Sequence, residues 1–134
     1  LVGSEMCIRD SLSREEKVCF LGELTIFSAP MRYAEAFGLC LIEAMASGVP
    51  VVNPGGSTFE EIALLTGGGK TVPPRDPSAL ACAWEELLAD PDEAAAMGER
   101  GRRGVEEHYS VTAMKDGFVA LAERACANLE PCSS

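Results

Sequence analysis

Basic residues are in short supply in this chain: 11 Lys and Arg stand against 21 Asp and Glu, a formal net charge of −10. That imbalance argues against a nucleic-acid surface and against an electrostatic grip on anionic membrane. Histidine occurs once, and the six cysteines are scattered singly with no C-x-x-C pair. Neither a zinc site nor a redox dithiol is indicated, and the cysteines read as small buried hydrophobes of a reducing cytoplasm. No apolar run approaches the stretch of about 18 residues that spans a bilayer. What remains, 134 residues with 47% hydrophobic and 24% charged content, is ordinary for one soluble globular domain.

The stretch that stands out is Glu35-Ala-Phe-Gly-Leu-Cys-Leu-Ile-Glu43, followed directly by Ala-Met-Ala-Ser-Gly-Val-Pro-Val-Val. Two carboxylates bracket a Phe-Gly step and lead into an apolar helix ending at Gly48. Carboxylates accept hydrogen bonds from vicinal hydroxyls, and backbone amides at a helix N-terminus favour phosphate. The pattern therefore suits a polyhydroxylated, phosphate-bearing ligand.

Elements alternate around it. Ser13-Arg-Glu-Glu16 is a capping-box pattern that opens a short helix through about Glu23, with Val18, Phe20, Leu21 and Leu24 as apolar contacts. Residues 24–29 form a compact β-prone run stopped by Pro30, and 31–36 a loop. On the central helix Phe37, Leu41, Ile42 and Met45 share one face. Residues 50–53 and 70–73 read as two further short strands. Between them Thr58-Phe-Glu-Glu61 reads as a second capping box, starting a helix that ends at Gly67-Gly-Gly69. That glycine run suits a helix C-cap and turn better than a phosphate cradle. Asp76-Pro77 and Asp90-Pro91 each place a capping acid before a helix-starting proline. The helix after Asp76 presents Leu80, Ala81, Trp84, Leu87 and Leu88 as a stripe, which puts Trp84 in the core rather than on a sugar platform. Ser110 caps a last helix whose Met114, Phe118, Leu121 and Ala125 share a face expected to pack on the protein. His108, near a helix end, suits capping or packing, and Arg100, Arg102 and Arg103 a solvated face.

Strand–helix–strand–helix–strand with short links implies an α/β fold with a parallel sheet and helices on its faces, followed by C-terminal helices. Ligands bind such sheets beyond the carboxyl ends of the strands. The amides around Phe37, Gly38 and Leu39 are expected to point at a phosphate, the helix dipole contributing about 0.3–1 kcal/mol. Gly38 lets the backbone approach the ligand closely. Glu35 and Glu43 lie roughly 12 Å apart if that segment is helical, enough to hold opposite ends of an extended ligand.

The chain resembles the C-terminal half of the second Rossmann-like domain of a family 4 glycosyltransferase, of the two-domain GT-B architecture. The resemblance runs from about Ser13 to Ala125. It rests on the E-x7-E pair Glu35 and Glu43, the Ala-Met-Ala-Ser-Gly-Val-Pro-Val-Val segment, a helix start from Gly56 to Glu61, and Thr66-Gly-Gly-Gly69 before Pro73-Pro-Arg-Asp-Pro77. It implies that Glu35 is the catalytic-site carboxylate on the donor-sugar hydroxyls. Phe37, Gly38 and Leu39 would contact sugar and diphosphate, and Glu43 the ribose of the nucleotide. It implies transfer from a nucleotide-sugar donor to an unidentified acceptor with retention of configuration, by front-face attack. No metal or organic cofactor is expected. The family's diphosphate-binding Arg and Lys lie earlier in its domain, and its acceptor domain is separate. Neither has a match here, so this stretch alone is expected to be inactive and poorly soluble. In the family the closing helix reaches back toward the N-terminal domain.

Three stretches follow from this reading. Residues 1–11 resemble translated sequencing adapter and are set aside as non-native. Residues 12–127 are the C-terminal part of a nucleotide-sugar-binding domain, and 128–134 a disordered tail. The missing N-terminal half of the same protein is the expected partner, by which a cytoplasmic enzyme could touch the membrane. Two other classes remain: a GT-B epimerase or phosphorylase, and a non-catalytic nucleotide-sugar-binding α/β module.

Overall fold

The computed structural model describes residues 12–30, 37–56 and 58–127. Ser13 starts the first helix, α1 (Arg14–Gly22), through the expected reciprocal cap: its hydroxyl accepts from Glu16 N–H while the Glu16 carboxylate accepts from Ser13 N–H at 2.8 Å. Of the four expected apolar contacts only Leu21 is fully buried, and Val18 and Phe20 are exposed.

The sheet is parallel, with β1 (Val51–Pro54) paired to β2 (Gly69–Val72) in the register Val51 to Gly69. The expected first strand, 24–29, contributes a single bridge between Phe27 and Val51. Its ladder begins correctly, with Phe27 N–H donating to Pro50 O at 3.0 Å and Val52 N–H to Phe27 O at 3.0 Å. The next rung of a parallel ladder would carry Ala29 N–H to Val52 O. Side chains take both groups instead: the Ser28 hydroxyl donates to Val52 O, and Ala29 N–H donates to Asn53 Oδ1 at 2.9 Å.

Val51 and Val52 are both completely buried. Neighbouring residues of a strand face opposite sides of the sheet, so both faces are covered, as a parallel α/β sheet requires. One core gathers Leu41, Ile42 and Met45 of α2 (Leu39–Ala46) with Val51, and with Phe59 and Ile62 of α3 (Thr58–Thr66). The other gathers Val52 and Val72 with Ala83 and Leu87 of α4 (Pro77–Ala89), and with Ala94 and Met97 of α5 (Pro91–His108). Asp76 and Asp90 cap α4 and α5 as expected, accepting from Ala79 N–H at 2.9 Å and Glu93 N–H at 3.0 Å.

Three expectations about faces are corrected. On α4 the buried stripe is Ala83 and Leu87 with Leu80 at its margin, while Ala81 and Leu88 are exposed. The small Ala83 faces the sheet, which turns Trp84 to the rim, 39% exposed, where its Nε1–H donates to Ser28 Oγ at 2.9 Å. Phe37 lies ahead of α2 and is 63% exposed, so it takes no part in the buried face. On α6 (Val111–Ala127) the cap is present, Ala113 N–H donating to Ser110 Oγ at 3.1 Å, but no residue is buried. Met114, Phe118 and Leu121 are exposed because α6 packs chiefly on α5 and turns this face away from it. The second capping box also differs: Thr58 is the first residue of α3, so the cap position is residue 57, outside the described residues.

A feature with no counterpart in the reading of the sequence joins α5 to the sheet. Gly98, Gly101 and Gly104 are all buried. Side-chain carbons added there would meet the backbone of Gly48, Gly68 and Thr66 respectively. The helix thus lies backbone-to-backbone against the turns that feed β1 and β2.

Candidate functional site

Gly38 begins α2 in the left-handed region, φ +75°, and contributes no side-chain cap. Its carbonyl accepts from Leu41 N–H at 3.0 Å and Ile42 N–H at 3.1 Å, so the turn is closed without a capping side chain. Glycine is needed here on two counts. The φ value strains any L side chain, and a Cβ would stand 2.8 Å from Ile62 Cδ1. Its small size therefore also serves packing against α3.

The chain order locates the site. Residues 27–29 run parallel to β1, through the Phe27 bridge to Val51 and the Ala29 N–H bond to Asn53, and so leave at the carboxyl ends of the strands before α2 starts at Gly38. Asn53 sits at that same edge, 7% exposed, its Oδ1 held by Ala29 N–H. It thereby fixes the point from which the chain leaves toward residues 31–36. Glu35 falls in that stretch, outside the described residues. The structure thus brings together the backbone of Phe37, Gly38 and Leu39 with the strand ends, the side chains of Phe37 and Leu39 being exposed.

Glu43 lies on α2, facing α1. Its Oε1 accepts from Lys17 Nζ at 2.6 Å, with the two side chains 44% and 43% exposed. An ion pair this open to water contributes about 0–1 kcal/mol to stability. The pair borders an open groove of about 810 Å³ between α1 and the second half of α2, with Arg102 of α5 at its margin.

Of the other residues weighed, Gly67 ends α3 with φ +67° and its N–H on Ala63 O at 2.9 Å, the expected C-cap. Arg102 and Arg103 lie on the expected solvated face, Arg102 pairing with Glu106 at 3.4 Å, whereas Arg100 is half-buried, pairs with Glu93 at 2.8 Å and donates from Nε to Gly67 O at 3.2 Å. His108 is exposed at the end of α5. Tyr109, half-buried against the first core, has its phenol pushed above its ordinary pKa by burial and, secondarily, by the Glu61 charge.

Lys17, Ser28 and Asn53 escaped the reading of the sequence. Asn53 left a trace, an amide ending an otherwise apolar strand. Lys17 left none, because it meets Glu43 across 26 positions of chain.

The family model for "Glycosyl transferases group 1" matches residues 5–104. The chain belongs to this family. Among relatives of this group 1 glycosyltransferase chain is the MMP alpha-(1->4)-mannosyltransferase of Mycolicibacterium hassiacum. It is 33% identical over 122 residues, covering 90% of the chain and 29% of that protein. The GDP-mannose-dependent alpha-(1-6)-phosphatidylinositol monomannoside mannosyltransferase of Mycolicibacterium smegmatis is 39% identical over 90 residues, 63% of the chain and 24% of that protein. A solved sucrose-phosphate synthase from Thermosynechococcus elongatus superposes with a TM-score of 0.71 at 32% identity, over 82% of the chain and 27% of its own. The α/β layering is thus that of part of a GT-B glycosyltransferase. The group 1 chain spans between 24% and 32% of the length of the curated relatives it matches. Among the described residues, no helix is long and apolar enough to cross a membrane.

Proposed function

We propose that this chain is the nucleotide-sugar-binding part of a retaining, family 4 glycosyltransferase that moves a hexosyl group from a nucleoside-diphosphate sugar to an acceptor hydroxyl. The observation that carries the reading is the start of α2. Gly38 brings no capping side chain to a helix that begins at the strand-end edge, and Glu43 follows on the same helix. The backbone of Phe37, Gly38 and Leu39 receives the diphosphate, with about 0.3–1 kcal/mol from the helix dipole. Glu35 accepts from hydroxyls of the donor sugar, and Glu43 from those of the ribose.

In this reading the acceptor oxygen attacks the anomeric carbon on the face from which the diphosphate leaves. The new carbon–oxygen bond forms as the bond to the phosphate oxygen breaks, and the hydroxyl proton passes to that departing oxygen. Catalysis is electrostatic positioning, with no protein nucleophile, metal or organic cofactor. The cations facing the diphosphate belong to the earlier part of the same domain, and the acceptor site to a separate N-terminal domain. Cys19, Cys82 and Cys126 are exposed where burial was expected, and exposed thiols suit a reducing cytoplasm.

Several relatives are named as mannosyltransferases, two of them GDP-mannose-dependent by name, so GDP-mannose is the first donor to test. In the full-length protein, Glu35→Gln and Glu43→Gln are each expected to lower donor turnover by roughly tenfold or more at unchanged melting temperature. Parent-like turnover in both variants, with a panel of GDP-mannose, UDP-glucose and UDP-N-acetylglucosamine, would overturn the assignment.

A further inference from the structure

The Lys17–Glu43 contact has more reach than its stability contribution. Lys17 Nζ holds Glu43 Oε1 at 2.6 Å, a short charge-assisted bond, and the described residues place no hydrogen bond on Oε2. A glutamate on an open helix face samples many rotamers, and each must be lost when a diol is bound. A cation reaching over from α1 removes that freedom in advance and leaves one oxygen presented to the groove.

The groove has its own polarity. Among the described residues lining it are three cations, Arg14, Lys17 and Arg102, and one carboxylate, Glu43. This net positive slot sits in a chain whose formal charge is −10, so an anionic ligand is drawn to it against the field of the rest. Arg102 is engaged by Glu106 at 3.4 Å, while the Lys17 ammonium has three donors and gives one to Glu43.

We propose that Lys17 is a positioning residue for nucleotide recognition: it fixes the Glu43 carboxylate so that Oε2 meets the ribose hydroxyls. This rests on the reading of Glu43 as the ribose-binding residue. Lys17 acts on the nucleotide only through Glu43, so its removal raises the KM for the donor and leaves kcat within about twofold.

The test is binding of GDP, UDP and ADP to the full-length protein by calorimetry, taking whichever binds tightest, for the parent, Lys17→Met, Lys17→Arg, Glu43→Gln and the Lys17→Met/Glu43→Gln double variant. Lys17→Met is expected to weaken binding about 3- to 10-fold, the loss of one charged hydrogen bond, while Lys17→Arg keeps it within about twofold. The double variant binds no more weakly than Glu43→Gln alone, because Lys17 acts through that carboxylate. Parent-like binding by Lys17→Met beside a weakened Glu43→Gln overturns the role of Lys17 and leaves the reading of Glu43 standing. Losses that multiply in the double variant also overturn it. Parent-like binding by Glu43→Gln, or no binding of any of the three nucleotides, removes the reading of Glu43 and the proposal with it. Equal weakening by Lys17→Arg and Lys17→Met, with lowered melting temperatures, would assign Lys17 to structure alone.

Discussion

Two glycine-to-alanine substitutions in helices should move stability in opposite directions. Gly117, on α6, has nothing within 4 Å of an added Cβ. Alanine there gains only helix propensity, about 0.8–1 kcal/mol. Gly104, on α5, gains the same propensity, but its Cβ would stand 2.7 Å from Thr66 Cβ and 2.8 Å from Thr66 O. Carbon atoms rest about 3.5–4 Å apart, so one partner must retreat. Thr66 is poorly placed to do so. It is 6% exposed, its hydroxyl donates to Ile62 O at 2.7 Å, and the same oxygen accepts from Gly68 N–H at 3.2 Å. Overpacking costs about 1–3 kcal/mol, and a neighbour tied on both sides belongs at the upper end. Subtracting the propensity gain leaves Gly104→Ala destabilised by about 1–2 kcal/mol. Urea denaturation followed by circular dichroism, with both variants and the parent compared at one temperature, reads the two signs directly. A Gly104→Ala protein as stable as Gly117→Ala would refute the backbone-to-backbone seating of α5.

Asn53→Leu removes the acceptor of Ala29 N–H and leaves a half-buried donor unmet, so a loss of about 1 kcal/mol in denaturation is expected; a neutral result would mean that Ala29 finds another partner. Tyr109 gives a pH signature. Its folded pKa is raised, so the folded state keeps the proton longer than the unfolded chain, and stability falls as pH rises from the ordinary value of 10.0 through the folded pKa. The urea midpoint of the parent should therefore drop relative to Tyr109→Phe above that pH and match its trend below; parallel curves throughout would contradict the burial of the phenol. Phe118→Ser, on the exposed face of α6, should change the stability of this segment by less than about 0.5 kcal/mol, and a loss as large as a core truncation would show that the face is covered.

How much was legible in the sequence follows from how far each interaction reaches along the chain. Ser13 with Glu16, Asp76 with Ala79 and Asp90 with Glu93 are three positions apart, and each cap is where the residue pattern put it. The alternation of helices with short parallel strands is equally local, since each segment's periodicity carries it. The start of the α2 helix at Gly38 was legible as well, although its left-handed turn owes its glycine partly to Ile62, which no spacing reveals.

What needed the tertiary structure is what depends on partners far along the chain. Trp84 looked like core because its helical spacing matched Leu80 and Leu87, and periodicity names a face without saying what covers it. Its donor goes instead to Ser28, 56 positions away. The first strand ended after one bridge because Ser28 and Asn53 side chains displaced its backbone rung. Met114, Phe118 and Leu121 form a correct apolar stripe on a helix that turns it away from α5. The pairing of Lys17 with Glu43 arose only when α1 settled beside α2. The sequence alone specified the helices, the caps at Ser13, Asp76, Asp90 and Ser110, and the parallel α/β class, because those are written within a few residues. Only the packing decided which apolar faces are covered and which cation meets Glu43, because burial and ion pairing are properties of neighbours in space.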